Sequence, residues 1–164
     1  MKNFLKNNLG FIITIIVIIL VRMFAFTPLY VDGISMNPTL EDGDFIILNK
    51  LDSSFERFDT VVIDEDFSGK GLIKRVVAVA GDKISCKNNE VYVNGEKLEQ
   101  VFLAEGTYTE DIDEVTVPEG FYYVLGDNRE HSLDSREYGF IDAKYIQGKA
   151  EVILFPFSRI GSID

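Results

Sequence analysis

Residues 72–80 read Leu-Ile-Lys-Arg-Val-Val-Ala-Val-Ala, seven apolar residues interrupted only by Lys74 and Arg75 and bounded by Gly71 and Gly81. The length, the Val and Ile content and the flanking glycines specify a β-strand. Shorter runs of the same character recur on both sides of it: DFIILNK (44–50), DTVVID (59–64), KISCK (83–87), EVYVNGEKL (90–98), FYYVLGD (121–127) and KAEVILFPF (149–157). Each is rich in Val, Ile, Tyr and Phe. Asn94-Gly95 lies between VYV and EKL, where a type I′ hairpin turn needs two residues tolerant of positive φ. In KISCK the period-two alternation puts Ile84 and Cys86 on one face, so Cys86 reads as a small core residue. Beyond residue 31 no stretch of twelve or more residues has convincing helical periodicity. Residues 104–116, AEGTYTEDIDEVT, are polar and acidic and read as an exposed hairpin or loop. The fold class is mainly β.

The whole chain has 164 residues, 46% of them apolar, with 27 acidic against 16 basic side chains. It is too hydrophobic to be disordered and is long enough for one domain. Its acidity, with no Lys/Arg cluster, excludes a nucleic-acid partner. Cys86 and His131 are the single cysteine and histidine. No internal disulfide can form and no metal site is expected, and a general base must come from another residue type.

Leu9 to Val21 is an uninterrupted apolar or small-residue run after Lys2 and Lys6. Extended through MFAFTPLYV to Val31 it gives 23 residues, enough for a bilayer core of roughly 30 Å. A cleaved secretory signal would also begin this way. No A-x-A site follows, however, and a cut after Thr27 would leave Pro28 in a poor context, so an uncleaved anchor is the reading. The part beyond Val31 carries all 27 acidic and 13 of the 16 basic residues, a net charge of −14. The expected organisation is a cytoplasmic N-terminus over 1–8, a membrane anchor and interface segment over 9–31, and an outward-facing domain over 32–164. Arg22 would snorkel to the interface, and Phe24, Phe26 and Tyr30 would sit there.

Three segments carry chemistry. In Gly33-Ile34-Ser35-Met36-Asn37-Pro38-Thr39-Leu40, Ser35 is either an ordinary turn serine or a nucleophile held close to the bilayer. Lys74 either snorkels from a strand edge or is buried. If buried, desolvation disfavours its ammonium form and lets a neutral amine act as a base in place of histidine. Between Gly126 and Arg136, GDNREHSLDSR, two Asp and two Arg alternate with Asn and Ser. As an isolated run this is a solvated surface; as a paired set it can freeze an irregular loop.

Taken in order, these segments resemble the type I signal peptidases, membrane-bound serine proteases that remove signal peptides from exported proteins. The similarity rests on S-M-x-P-T-L at 35–40, G-D at 43–44, the strand 58–64, I-K-R-V at 73–76, G-D at 81–82 and the specific loop 126–136. It spans residues 9–150. The resemblance implies a single N-terminal transmembrane helix followed by a mostly antiparallel β catalytic domain. It implies a Ser/Lys dyad, with Ser35 as nucleophile, Lys74 as general base and Ser132 as the residue that orients the lysine. Asp127, Arg129, Asp134 and Arg136 would brace the site, and His131 would be a bystander. Val31, Met36 and Ile73 would line shallow pockets for small residues at −1 and −3 of an extended signal peptide. No cofactor or metal is implied. The implied partners are preprotein signal peptides and the lipid bilayer.

Gly33 departs from members that place a serine two residues before the nucleophile to help bind the oxyanion. Without that hydroxyl the second donor is absent or comes from water or the backbone, and losing one donor costs roughly 3 to 4 kcal/mol of barrier. The short span from Arg75 to Gly126 favours the compact single-anchor form of Gram-positive bacteria. Lysine at position 74 separates the chain from the endoplasmic reticulum enzymes. Two rivals remain: a catalytically silent membrane-anchored pilus or secretion assembly factor of the same fold, and a soluble self-cleaving repressor-type protease. The presence of Ser35, Lys74 and Ser132 argues against the first, and the anchor against the second.

Overall fold

The structure, a computed structural model, describes residues 8–163. The leading segment with Lys2 and Lys6, and the side chains of residues 20–24, Arg22 and Phe24 among them, lie outside the described residues. Helix α1 covers Leu9–Ala25 and passes directly into strand β1, Phe26–Tyr30. There follow β2 (Phe45–Asn49), β3 (Thr60–Ile63), the short helix α2 (Glu65–Ser68), β4 (Leu72–Ala78), β5 (Lys83–Lys87), β6 (Glu90–Val93), β7 (Glu96–Lys97), β8 (Ile112–Thr116) and β9 (Phe121–Leu125). The chain ends with helix α3 (Ser135–Tyr138), β10 (Ile141–Asp142), β11 (Ile146–Phe155) and β12 (Gly161–Ser162).

The larger sheet has the order β1-β2-β11-β3-β4-β9-β10, with β12 added to β11, and the smaller has the order β7-β6-β5-β8. Every pairing is antiparallel. The mainly β, antiparallel expectation therefore holds. Strand β4, which carries Lys74, lies between β3 and β9, with Val61 opposite Lys74. Asn94 and Gly95 take φ of 55° and 81° and turn β6 into β7 as their sequence requires. Cys86 is fully buried with Ile84, Val91 and Tyr123 in the core beneath the smaller sheet. A second core, of Val31, Met36, Leu40, Ile46, Ala150 and Ile153, supports the segment that carries Ser35.

Two expectations are corrected. The apolar segment 9–31 is not one long helix: α1 has 17 residues, about 25 Å, and no helix among the described residues is long and apolar enough to cross a membrane. Residues 26–30 leave the helix because they form a ladder with β2, Pro28 lying opposite Ile47. A proline cannot continue a helix but is tolerated on an edge strand, which β1 is. The second correction is β8, inside the tract read as a hairpin or loop. Its half-buried Ile112 and Val115 pair opposite Cys86 and Ile84, while Asp113 and Glu114 stay exposed. Two apolar residues suffice to fix the register there, and the acidic average of the tract hides them.

Candidate active site

Ser35 follows β1 by five residues, in an irregular segment anchored by Val31 and Met36, which are 3% and 2% exposed. Lys74 approaches it from the middle of the larger sheet. Its side chain is buried, and Nζ lies 2.8 Å from Ser35 Oγ and 2.8 Å from the carbonyl oxygen of Ile73. Burial pulls the amine from its ordinary value of 10.5 down to about 8, against the opposing pull of the Asp134 and Asp127 carboxylates. A serine hydroxyl in hydrogen-bond contact with a partly neutral amine is an arrangement that can supply a nucleophile and its base.

The loop 126–136 packs against this pair and is held by ion pairs. Asp127 and Arg75 are both fully buried and join through Arg75 Nη2 at 2.8 Å and Nε at 3.0 Å. Thr39 Oγ1 donates to the same carboxylate at 2.5 Å, and the Phe102 ring covers the guanidinium with its centroid 4.1 Å from Cζ. Asp134 accepts from the Gly126 N–H and from Arg136 Nε, each at 2.9 Å. Burial alone would raise the Asp134 carboxyl, but the Arg136 hydrogen bond and charge outweigh it and hold the group below its ordinary value. Arg129 donates through Nε to the Gly126 carbonyl at 2.9 Å and through Nη1 to Thr109 Oγ1 at 2.8 Å, tying the loop to the segment that leads into β8. The four charged residues expected to brace the site all bond within or beneath this loop.

Ser132 is placed differently from the expectation. Lys74 spends its bonds on Ser35 and Ile73, and the Ser132 Oγ is buried without a hydrogen-bond partner. It rests against Gly126, where a Cβ would stand 2.2 Å from it and 2.6 Å from the Ser35 carbonyl oxygen, so only glycine lets the two segments approach. His131 is exposed on the groove rim and bonds to neither member of the pair.

Two contributors have roles that the sequence does not assign, although Asn128 lies within the loop 126–136 singled out there. Asn128 donates its backbone N–H to the Ser35 carbonyl at 3.0 Å and its side-chain Nδ2 to the Ile34 carbonyl at 3.1 Å. Arg159, from the C-terminal turn, donates to Asp44 Oδ1 at 3.1 Å, Glu41 Oε1 at 2.7 Å and the Thr39 carbonyl at 3.0 Å, bracing the loop after the nucleophile. No local pattern gives these roles, because the acceptors lie about 90 to 120 positions away. Gly33 has φ +106° and gives its N–H to Asp42 Oδ1 at 2.8 Å. Among the described residues the Ser35 N–H has no acceptor.

A groove of about 580 Å³ runs past the pair. Val31, Met36 and Ile73 line it as expected, with Ser35 and Lys74 on its wall. It thus presents the Ser35 hydroxyl, the buried Lys74 amine and a Ser35 N–H without an acceptor among the described residues beside an apolar trough.

This chain matches the family described as signal peptidase, peptidase S26, over residues 4–155. It belongs to that family. Signal peptidase I of Bacillus licheniformis is 37% identical, with 97% of this chain and 95% of the relative covered. Signal peptidase I S of Bacillus subtilis is 33% identical, with 97% and 93% covered. The crystal structure of a signal peptidase I from Enterococcus faecalis superposes with a TM-score of 0.52 at 28% identity, covering 58% of this chain and 96% of that one. Membership of the signal peptidase family implies peptidase activity.

Proposed function

We propose that the chain is a membrane-attached signal peptidase I that cleaves exported preproteins after small residues through a Ser35/Lys74 dyad. The observation that carries this reading is the 2.8 Å contact between Ser35 Oγ and the buried Lys74 Nζ on the wall of the groove. The neutral amine takes the hydroxyl proton as Oγ attacks the scissile carbonyl. The Ser35 N–H receives the oxyanion, and the leaving amine departs with the proton from Nζ. A water deprotonated by Lys74 then hydrolyses the ester on Ser35. Ser132 stays in the proposal as the lysine-orienting residue, since its buried hydroxyl gains by finding a partner. An extended peptide pairing along the groove would present its −1 and −3 residues to Val31, Met36 and Ile73, whose bulk admits only small side chains.

Attachment to lipid is supported by surfaces that water does not suit. Ile13, Ile16, Val17, Ile18 and Ile19 of α1 are each about half exposed, an apolar helix with little protein packed on it. Register places the exposed Tyr30 and Phe155 on either side of Phe45 at the end of the sheet next to Ser35, and Phe157 is 77% exposed beside them. Such a row suits a membrane interface. Lys2 and Lys6 place the N-terminus in the cytoplasm and the catalytic domain on the outer face, in the single-anchor arrangement of a Gram-positive cell.

The test is processing of an A-x-A preprotein by the full chain in vesicles. Cleavage that disappears in both Ser35→Ala and Lys74→Ala supports the reading. Retained cleavage in Lys74→Ala sinks the dyad.

A further inference from the structure

We infer that Asn128 is a positioning residue that aims the Ser35 N–H at the developing oxyanion. The inference rests on the dyad reading and deepens it. The Ile34 carbonyl and the Ser35 N–H belong to one trans peptide plane, so they point in opposite directions. Asn128 Nδ2 holds the carbonyl end of that plane at 3.1 Å, beside the Asn37 N–H, which donates to the same oxygen at 3.1 Å, and together they fix the direction of the Ser35 N–H. Its own backbone N–H holds the carbonyl of the next plane, that of Ser35, at 3.0 Å. Asn128 therefore bonds to both peptide planes that flank the nucleophile's Cα, sharing the first with Asn37, and so helps hold Ser35 φ and ψ.

Three observations make this more than loop packing. The N–H being aimed has no acceptor among the described residues, so it is available to a ligand. Position 33 is glycine and its own N–H is occupied by Asp42, so no hydroxyl two residues before the nucleophile supplements the donor. The oxyanion then depends on how well the Ser35 N–H is aimed. Asn128 is also immobile where it enters the loop, because the preceding residue, Asp127, is fixed by Arg75 in a fully buried pair. The amide itself is only half-buried, and its bond to Ile34 is solvent-exposed, so the bond adds little to folding stability. Its value lies in orientation, where displacements on the order of 1 Å cost about a hundredfold in rate.

The experiment compares wild type, Asn128→Ala and Asn128→Gln as full-length protein in detergent. It measures kcat and KM on a preprotein, inhibition by a peptide aldehyde and affinity for the non-covalent product peptide. The hemiacetal that the aldehyde forms on Ser35 places its oxygen where the oxyanion develops. Asn128→Ala is expected to lower kcat roughly tenfold to a hundredfold with KM little changed. The aldehyde should weaken by the same factor, because a transition-state mimic follows kcat/KM. Product-peptide affinity and the pH midpoint of kcat/KM should stay at their wild-type values. Asn128→Gln keeps an amide donor, has room in solvent for the added methylene, and should recover part of the loss. It carries the comparison by itself if the alanine variant does not fold, a Gln variant with no recovery of aldehyde affinity then counting against the idea. Asn128→Ala with wild-type kcat overturns the inference, as does a loss shared equally by product-peptide binding and thermal stability. Wild type that does not cleave overturns the peptidase reading first; active wild type with an unaffected Asn128→Ala overturns only the present inference.

Discussion

Lys74 and Arg75 are consecutive residues of β4, both cationic and both removed from solvent, and their surroundings treat them in opposite ways. Arg75 meets a buried carboxylate in a two-point contact, a hydroxyl, a backbone carbonyl and an aromatic face. Lys74 meets only neutral oxygens, those of Ser35 and Ile73. A guanidinium cannot shed its proton, so a buried arginine must be given counter-charge; an amine can, so a buried lysine without a direct carboxylate partner becomes a base. The lesson is that burial alone does not free a cation of its proton. Withholding the direct counter-ion does, and the strand sets the two outcomes side by side.

Exchanging the first cation for the second should have the largest effect. Lys74→Arg keeps the charge but abolishes the base, and preprotein cleavage should fall roughly ten-thousandfold or more in kcat/KM. Depriving Arg75 of its partner comes next. Asp127→Ala leaves a buried guanidinium without its counter-charge and should cost about 3 to 5 kcal/mol, lowering the thermal unfolding midpoint by roughly 10 °C. Removing the unpaired cation should do the reverse. The lysine has a value of about 8 in the folded chain against 10.5, so the unfolded state binds its proton more tightly between those values. The burial cost is therefore complete below pH 8 and vanishes as pH rises to about 10.5. Lys74→Met should be more stable than wild type near neutral pH, by on the order of 3 kcal/mol at most, and the advantage should disappear in urea titrations above pH 10.5. The gentlest probe is wild type itself: kcat/KM should rise with pH to a half-maximum near 8, and His131→Ala should leave that midpoint in place.

How much of this could be read beforehand depended on whether the signal was local. Lys74 stood out because a charged residue inside an apolar strand is an anomaly within nine residues of sequence, although the strand alone left open whether it was buried. Cys86 and the Asn94-Gly95 turn were legible for the same reason, one through alternation and the other through positive φ. Strand β1 was not, since Phe26–Tyr30 continues an apolar run and only its distant ladder partner Phe45–Asn49 draws it out of the helix. In β8 two apolar residues among acids decided the pairing. At the site, charge alternation allowed either a solvated run or a paired set, and the resemblance supplied the bracing role that the ion pairs are consistent with. The clamp made by Asn128 depends on carbonyl acceptors, and every residue has one of those; the brace made by Arg159 depends on Asp44 and Glu41, 115 and 118 positions away. Ser132 shows the converse: the resemblance implied that it orients Lys74, but its hydroxyl packs against Gly126 and makes no bond to the lysine.

The junction between α1 and β1 has a further consequence. No spacer separates the helix from the sheet: Ala25, 3% exposed, ends α1, its carbonyl accepts from the Lys50 N–H at 2.8 Å, and Phe26 begins the ladder with Asn49. The domain consequently has no leash. A tethered enzyme on a flexible linker sweeps a volume and finds its substrate by searching, with an effective concentration set by linker length. With α1 attached to lipid as proposed, the height of Ser35 would be set by the five paired residues of β1 and the five that follow. The search would then fall to the substrate, which would have to bring its cleavage site to a fixed station. Residues inserted between Ala25 and Phe26 would alter the enzyme's reach without touching its chemistry.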